Sequence, residues 1–542
     1  MNRREFLRRT AAAGSVLAAT TVAPACAAQK DQPPVPGYNP SSFELTEVSV
    51  AELQRWMASG KYSSEKLVRL YLGRIGEVDR NGPMLRSVIE LNPDALAIAR
   101  ALDRERRSTG PRGPLHGIPG LIQDNIDTRD RMMTTAGSLA LEGSIAPRDS
   151  FLVERLRASG AVILGKTNLS EWANFRGNRS ISGWSARGGL TRNPYAVDRS
   201  TSGSSAGSAS AVCASLCAVA VGTETNGSIV SPASYCGLVG IKPTVGLVSR
   251  SGIIPISSSQ DTAGPMARTV ADAAAFLGAM TGIDPLDAAT EASTGRSQTD
   301  YLQSLNAKAL RGARVGVARN LFFSNPQTDR LMETALAAMR REGAVLIDPA
   351  SLPSRQGLGD ADYQVMLYEF KAGLNAYFRS LGPTARVKSL KELIEFNEKN
   401  REREMPYFGQ ETLVAAEAKG PLTDAAYIEA KAKCIKWART DGIDAVMDSH
   451  QLDALIAPTT GPAHTLDLIN GDRGLGGSSS YAAVAGYPSI TLPAGSIFGL
   501  PMGISFFGRA WSEPKLISLA YSFEQATKAR QAPRFLRTAR ME

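Results

Sequence analysis

The chain has 542 residues, 43% of them hydrophobic and 21% charged, with 50 glycines and 30 prolines spread along it. This excludes a disordered chain, a collagen-like repeat and a disulfide-stapled miniprotein, and leaves a large globular protein. The formal charge of +9 comes from 61 Lys+Arg against 52 Asp+Glu; no basic stripe with interleaved aromatics accompanies it, so nucleic acid is not an expected partner.

Residues 1–28 set Arg3, Arg4, Arg8 and Arg9 against Glu5 and so carry a third of that excess charge. The arginine pair followed by Phe6-Leu7, an apolar run of small residues from Ala11 to Ala23, and the Ala25-Cys26-Ala27 site read as an export signal of the twin-arginine type. The run holds about 13 apolar residues, short of the roughly 18–20 that a membrane span needs. The expected compartment is the periplasm, with no membrane contact once the signal is removed. Twin-arginine export carries folded proteins, so disulfides are not required. Cys213 and Cys217, four apart, read as small buried residues on one helical face; with Cys236 and Cys434 they show no metal-ligand spacing.

Residues 29–42 form a linker, Pro-rich from Gln32 to Pro40. Ser49 with Glu52 is a capping box before Leu53, Trp56 and Met57, and Ser63-Ser64-Glu65 opens a second helix bearing Leu67, Leu70, Tyr71 and Ile75. Helices and apolar runs then alternate: Phe151 to Ser159 feeds Ala161 to Leu164, and Arg330 to Arg341 feeds Val345-Leu346-Ile347. That alternation predicts an α/β protein layered on a largely parallel or mixed sheet. The stretch at about 362–440 is charge-rich and reads as a helical elaboration. Strand-like runs return at Ala454 to Ala457 and Ile504 to Phe507, and a helix follows Ser512 with Leu516, Leu519, Ala520, Phe523 and Ala526 on one face. No internal repeat and no composition break divides residues 43–535, so one domain is expected there, with a tail at 536–542.

The densest chemical signal runs from Thr201 to Thr244. Thr201-Ser202-Gly203-Ser204-Ser205-Ala206-Gly207-Ser208 leads through small residues into Gly222-Thr223-Glu224-Thr225-Asn226-Gly227-Ser228. Such loops let backbone N–H groups converge on an anion, or let a small side chain approach a ligand closely. A flexible Gly/Ser linker would lack the apolar insert between the loops, and no phosphate-loop pattern occurs. Gly203-Ser204-Ser205-Ala206-Gly207 also fits a nucleophile elbow with Ser205 as nucleophile and His450 or His464 as base. That elbow needs a buried strand before it, and the polar, Pro-containing stretch from Arg192 to Ser200 does not supply one.

The Ser204 loop, the Thr223 to Pro232 segment and Gly237-Leu238-Val239-Gly240-Ile241-Lys242-Pro243-Thr244 resemble the signature region of the amidase signature family. His116 to Pro119, Lys166 to Trp172, Gly252 to Pro255, Asp261 to Ala267 and Gly499 to Gly503 are similar to that family as well. The resemblance implies a large mixed, mostly parallel β-sheet covered by helices on both faces. It implies a hydrolase of linear carboxamides, peptide C-terminal amides or related small amides among them, working through a Ser-cisSer-Lys site and an acyl-enzyme. On that pattern the nucleophile is Ser228, the bridging serine with its cis peptide bond is Ser204, and the oxyanion donors are the backbone N–H groups of Thr225, Asn226 and Gly227 with that of Ser228. Neither a metal nor an organic cofactor is expected.

Where the family carries its lysine, this chain has Gln123. A serine hydroxyl needs a base to take its proton, and an amide leaving group needs that proton back. Glutamine can hydrogen-bond Ser204 but has nothing that titrates near neutral pH, so severely impaired turnover is expected. Lys166, at a strand end, is the nearest alternative lysine. A catalytically silent amide-binding protein, or an esterase of the same fold, are the alternative readings.

Overall fold

The computed structural model describes residues 43–383 and 385–540; the expected export signal, the whole of the expected linker at 29–42 and the last two residues lie outside them. The N-terminal helices form where the serines allow. Ser49 caps Val50–Ala58 by accepting from the Glu52 N–H, and Ser63 caps Ser64–Arg74 by accepting from the Lys66 N–H.

Strands β1 (Val88–Leu91), β2 (Pro119–Gln123) and β3 (Val162–Thr167) begin the sheet, and β4 (Trp184–Ser185) with β5 (Gly189–Leu190) makes a separate two-stranded ribbon. Then come β6 (Val219–Glu224), β7 (Val239–Lys242), β8 (Thr262–Ala267), β9 (Arg314–Val317), β10 (Val345–Ile347), β11 (Ala454–Pro458), β12 (Ser489–Ile497) and β13 (Leu500–Phe507). The 11-stranded sheet has the order β1-β3-β2-β6-β8-β7-β12-β13-β11-β9-β10. Every residue of β2, β3, β6, β8, β11 and β13 is buried, which requires cover on both faces of the sheet.

The sheet is mixed, as expected, with a smaller parallel share than the α/β alternation suggested. The pairs β3–β2, β2–β6, β11–β9 and β9–β10 are parallel. The central pairs from β6 through β8, β7, β12 and β13 to β11 are antiparallel. The physical reason is connection length: β12 and β13 are joined by a tight turn, which only antiparallel partners permit.

The expected helical elaboration is present as Ala361–Ser380, Leu390–Lys399, Glu411–Glu417 and Ala425–Ile435. It packs apolar clusters shared with the rest of the chain and is tied to the loop after β3 by the buried Arg176 of that loop. Arg176 reaches Glu171 at 2.5 Å, donates to the carbonyls of Glu404 (2.5 Å) and Phe408 (3.1 Å), and lies 4.0 Å from the centre of the Phe408 ring. Cys213 and Cys217 do not share a helix. The helix Ala206–Cys213 ends at the first, and the second follows in the turn before β6; both are buried and free.

Candidate active site

Parallel pairing of β2 with β6, Ile122 opposite Val221, sets Gln123 beside Thr223 at the carboxyl ends of the two strands. The chain leaves β6 at Glu224, runs through Thr225 to Ser228, and enters the helix Val230–Tyr235. The Ser204 loop packs against this turn. A Cβ on Gly203, whose φ is +57°, would stand 2.6 Å from Pro232 Cδ and 3.2 Å from Ser228 Cα, so glycine is what lets the two loops meet.

Ser204 and Ser228 are in contact: the Ser204 N–H donates to Ser228 Oγ at 3.1 Å. Ser204 Oγ is buried without a hydrogen-bond partner among the described residues. The peptide bond before Ser204 is trans, contrary to the cis form implied by the family resemblance; among the described residues the cis bond is Asp348–Pro349. A non-proline cis bond costs about 3–4 kcal/mol and persists only where its surroundings fix it. Here the trans form already gives the Ser204 N–H an acceptor.

Gln123 is fully buried. It does not bond Ser204, as its length had suggested. Its Nε2 donates to Thr223 Oγ1 at 3.0 Å and its Oε1 accepts from the Thr223 N–H at 3.4 Å. Asn125 Nδ2 donates to the same hydroxyl at 3.0 Å. Thr223 and Asn125 are thus site residues that sequence reasoning missed. The pairing joins positions a hundred residues apart, and only the sheet register reveals it.

Ser205 does not stand as a nucleophile elbow. No strand precedes it, and its Oγ donates to the Thr223 carbonyl (2.9 Å) and accepts from the Thr223 N–H (3.0 Å), fixing the loop to β6.

On the opposite side of Ser228, Gly227 adopts φ +86°. The backbone N–H groups of Thr225, Asn226, Gly227 and Ser228 enter no hydrogen bond among the described residues, which leaves them available to an oxyanion. Side chains hold this strand. Thr225 Oγ1 donates to Asp261 at 2.6 Å, and Asp261 accepts in turn from the N–H groups of Ile256 (2.7 Å) and Ser257 (2.8 Å). Burial pushes the Asp261 carboxyl up to about 6, against the hydrogen bonds that favour its charged form. Asn226 accepts from Ser479 Oγ at 2.7 Å. Glu224 accepts from the N–H groups of Ile229 (2.7 Å) and Val230 (3.0 Å), placing a carboxylate at the first turn of the helix that follows Ser228.

Lys166 lies elsewhere. Its Nζ donates to the Ile126 carbonyl (2.7 Å) and Thr134 Oγ1 (3.0 Å), and burial lowers its pKa against the pull of Asp124 and Asp127. The histidines are apart from the serines too. His116 is buried with Nε2 on the Leu102 carbonyl at 2.9 Å, and His464 bridges Tyr235 (3.2 Å) and Asp472 (3.3 Å). His450 ends the helix Asp444–His450. Among the described residues no cluster of His, Cys, Asp and Glu could hold a metal ion.

The family model described as Amidase matches residues 66–517. An Arabidopsis thaliana protein named "Probable amidase" is 42% identical over 505 residues, covering 92% of this chain and 93% of the relative. The native peptide amidase of Stenotrophomonas maltophilia superposes with a TM-score of 0.87 at 54% identity, over 91% of this chain and 99% of that one. Peptide amidase bound to the competitive inhibitor chymostatin gives a TM-score of 0.88 at 55% identity, over 91% of this chain and 100% of that one.

Proposed function

The chain belongs to the amidase family and is a hydrolase of amides, and we propose that it attacks linear carboxamides, peptide C-terminal amides in particular, through Ser228, with turnover held severely low by Gln123. Ser228 Oγ adds to the carbonyl carbon, the oxygen takes up charge toward the N–H groups of Thr225, Asn226, Gly227 and Ser228, and collapse of this tetrahedral intermediate breaks the C–N bond, expelling ammonia and leaving an acyl-enzyme that water then cleaves. Two proton movements are needed: off Ser228, and onto the departing nitrogen.

The observation that carries the reading is the pairing of Gln123. Its carboxamide is spent on Thr223 while Ser204 Oγ, beside the nucleophile, has no partner among the described residues. A primary amide neither takes nor gives a proton near neutral pH, so Ser204 has nothing behind it to relay to. Losing a general base costs about 10² to 10⁴ in rate. The preference for peptide amides is supported by the similarity to peptide amidase across most of the chain. Periplasmic export remains part of the proposal and rests on the amino-terminal sequence.

The same pairing favours a second reading, a protein that binds carboxamides and releases them unchanged. Ammonia release from an N-blocked dipeptide amide, measured beside binding of the same compound, separates the two. Slow release that rises on Gln123→Lys supports the impaired amidase. Binding with no release from either protein supports the silent binder. Equal, substantial release from both would overturn the account of position 123.

A further inference from the structure

Outside the loop that carries Asp261 lies a second cavity, of about 420 Å³. It shares no lining residue with the cavity of about 30 Å³ beside Thr223 and Thr225. Loop residues Ser258 to Gln260 form one wall; helices Ala361–Ser380 and Ala425–Ile435 supply others, and Tyr487 and Trp511 close it. Exposed Ala292 and Ile435 stand at its rim. This volume lies within the range of sites that bury a small organic molecule.

Its charge is one-sided. Lys431 and Arg439 line it, and no aspartate or glutamate does. Lys431 is already engaged, with Glu369 at 3.3 Å and the Tyr427 hydroxyl at 3.0 Å. Arg439 is half-buried, donates only its Nε, to the Ala485 carbonyl at 2.8 Å, and has no carboxylate in ion-pair reach among the described residues. Its guanidinium sits 5.2 Å from the centre of the Tyr487 ring, and Arg296 sits 5.6 Å from that of Trp511. A half-buried cation without a counter-charge carries a desolvation cost that an anion would relieve.

Trp511 supports the same reading. It holds φ +67°, a left-handed conformation that costs a bulky residue about 1–2 kcal/mol, and its N–H is fixed by Thr244 Oγ1 at 2.9 Å. Trp511 thus stands in the cavity wall.

We propose that this cavity binds a small organic carboxylate, its two oxygens on the outer nitrogens of Arg439 and its apolar body against Tyr487, Trp511 and Val484. Guanidinium offers the paired donors that match a carboxylate, and the aromatic and aliphatic walls accept the body. A neutral carboxamide of the same shape gains no ion pair there and is rejected. The wall loop, Ser258 to Gln260, continues directly into Asp261, so occupancy bears on the segment that holds Thr225.

The test uses the full chain and a matched pair of probes, 3-phenylpropionate and 3-phenylpropanamide, with titration calorimetry for affinity. Crystals soaked in 3-(4-bromophenyl)propionate locate the site by the anomalous signal of bromine. The carboxylate is expected to bind at least tenfold more tightly than the amide at this site, and Arg439→Gln to remove that preference. Bromine is expected between Tyr487 and Trp511. Unchanged carboxylate affinity in a folded Arg439→Gln protein would overturn the proposal, as would bromine found only beside Ser228 or nowhere in the cavity. If Arg439→Gln does not fold, the bromine position in the unsubstituted protein decides.

Discussion

Gln123→Lys puts a titratable group at the position where the amidase signature family carries its lysine. The substitution removes two hydrogen bonds to Thr223, one at 3.0 Å and one at 3.4 Å, each worth about 1 kcal/mol net. Thr223 Oγ1 is not orphaned, because Asn125 still donates to it at 3.0 Å. The new ammonium would be fully buried, as Gln123 is, and burial favours its neutral form. A neutral amine is what a base needs to be. We therefore expect stability to fall by about 1–3 kcal/mol, read as a lower urea midpoint at constant slope. Ammonia release from an N-blocked dipeptide amide should rise by roughly 10² to 10⁴. The rate should climb with pH as the lysine loses its proton. Esters, whose leaving groups need less protonation, should gain less. A folded Gln123→Lys protein that releases no more ammonia than the unsubstituted chain refutes the reasoning.

In the Gln123→Lys background, Ser228→Ala should reduce ammonia release to the uncatalysed level. Ser205→Ala should keep the rate within about tenfold while costing about 1–3 kcal/mol, since the Thr223 N–H and carbonyl lose the same partner; the opposite pattern would make Ser205 the nucleophile. Asp261 has its carboxyl raised from an ordinary 3.8 to about 6 by burial, so its protonated form is the one the fold prefers. The stability this lends is present below about pH 4 and is lost as pH rises through about 6, an amount on the order of 3 kcal/mol. Asp261→Asn should flatten the urea midpoint against pH in that window; an unaltered slope would count against the assignment. Arg176→Met should cost about 3–5 kcal/mol in thermal and urea unfolding because it strands the buried Glu171 carboxylate. A loss below about 1 kcal/mol would show that the Arg176 side chain does not tie the helical layer down.

Local chemistry was legible in the sequence wherever the physics is local. Ser49 and Ser63 cap their helices because a serine oxygen needs only an N–H three residues on. The runs at Val162, Val345, Ala454 and Ile504 became strands because short apolar stretches between helices have few other places to go. Strand direction was not legible: a wholly buried strand such as β8 has the same apolar look beside a parallel or an antiparallel neighbour. The candidate site divides the same way. Ser204, Ser228, Gly227 and Gln123 stand out along the chain, whereas the destination of the Gln123 amide depends on β2 lying against β6. Asp261 supports Thr225 from the loop before β8, and nothing near Thr225 in the sequence announces it.

The seam between β7 and β12, where Lys242 lies opposite Ser489, also sets the order of assembly. By the time Ala267 has been synthesised, every strand from β1 to β8 exists, yet the outer edge of β7 is bare. At about 5–20 residues per second its partner follows roughly 10–45 s later. During that interval the nascent chain exposes an apolar strand edge, the kind of surface that recruits neighbouring chains. Folding of the sheet therefore completes only after nearly the whole polypeptide has been made, and the carboxyl-terminal hairpin acts as the clasp that takes that edge out of circulation.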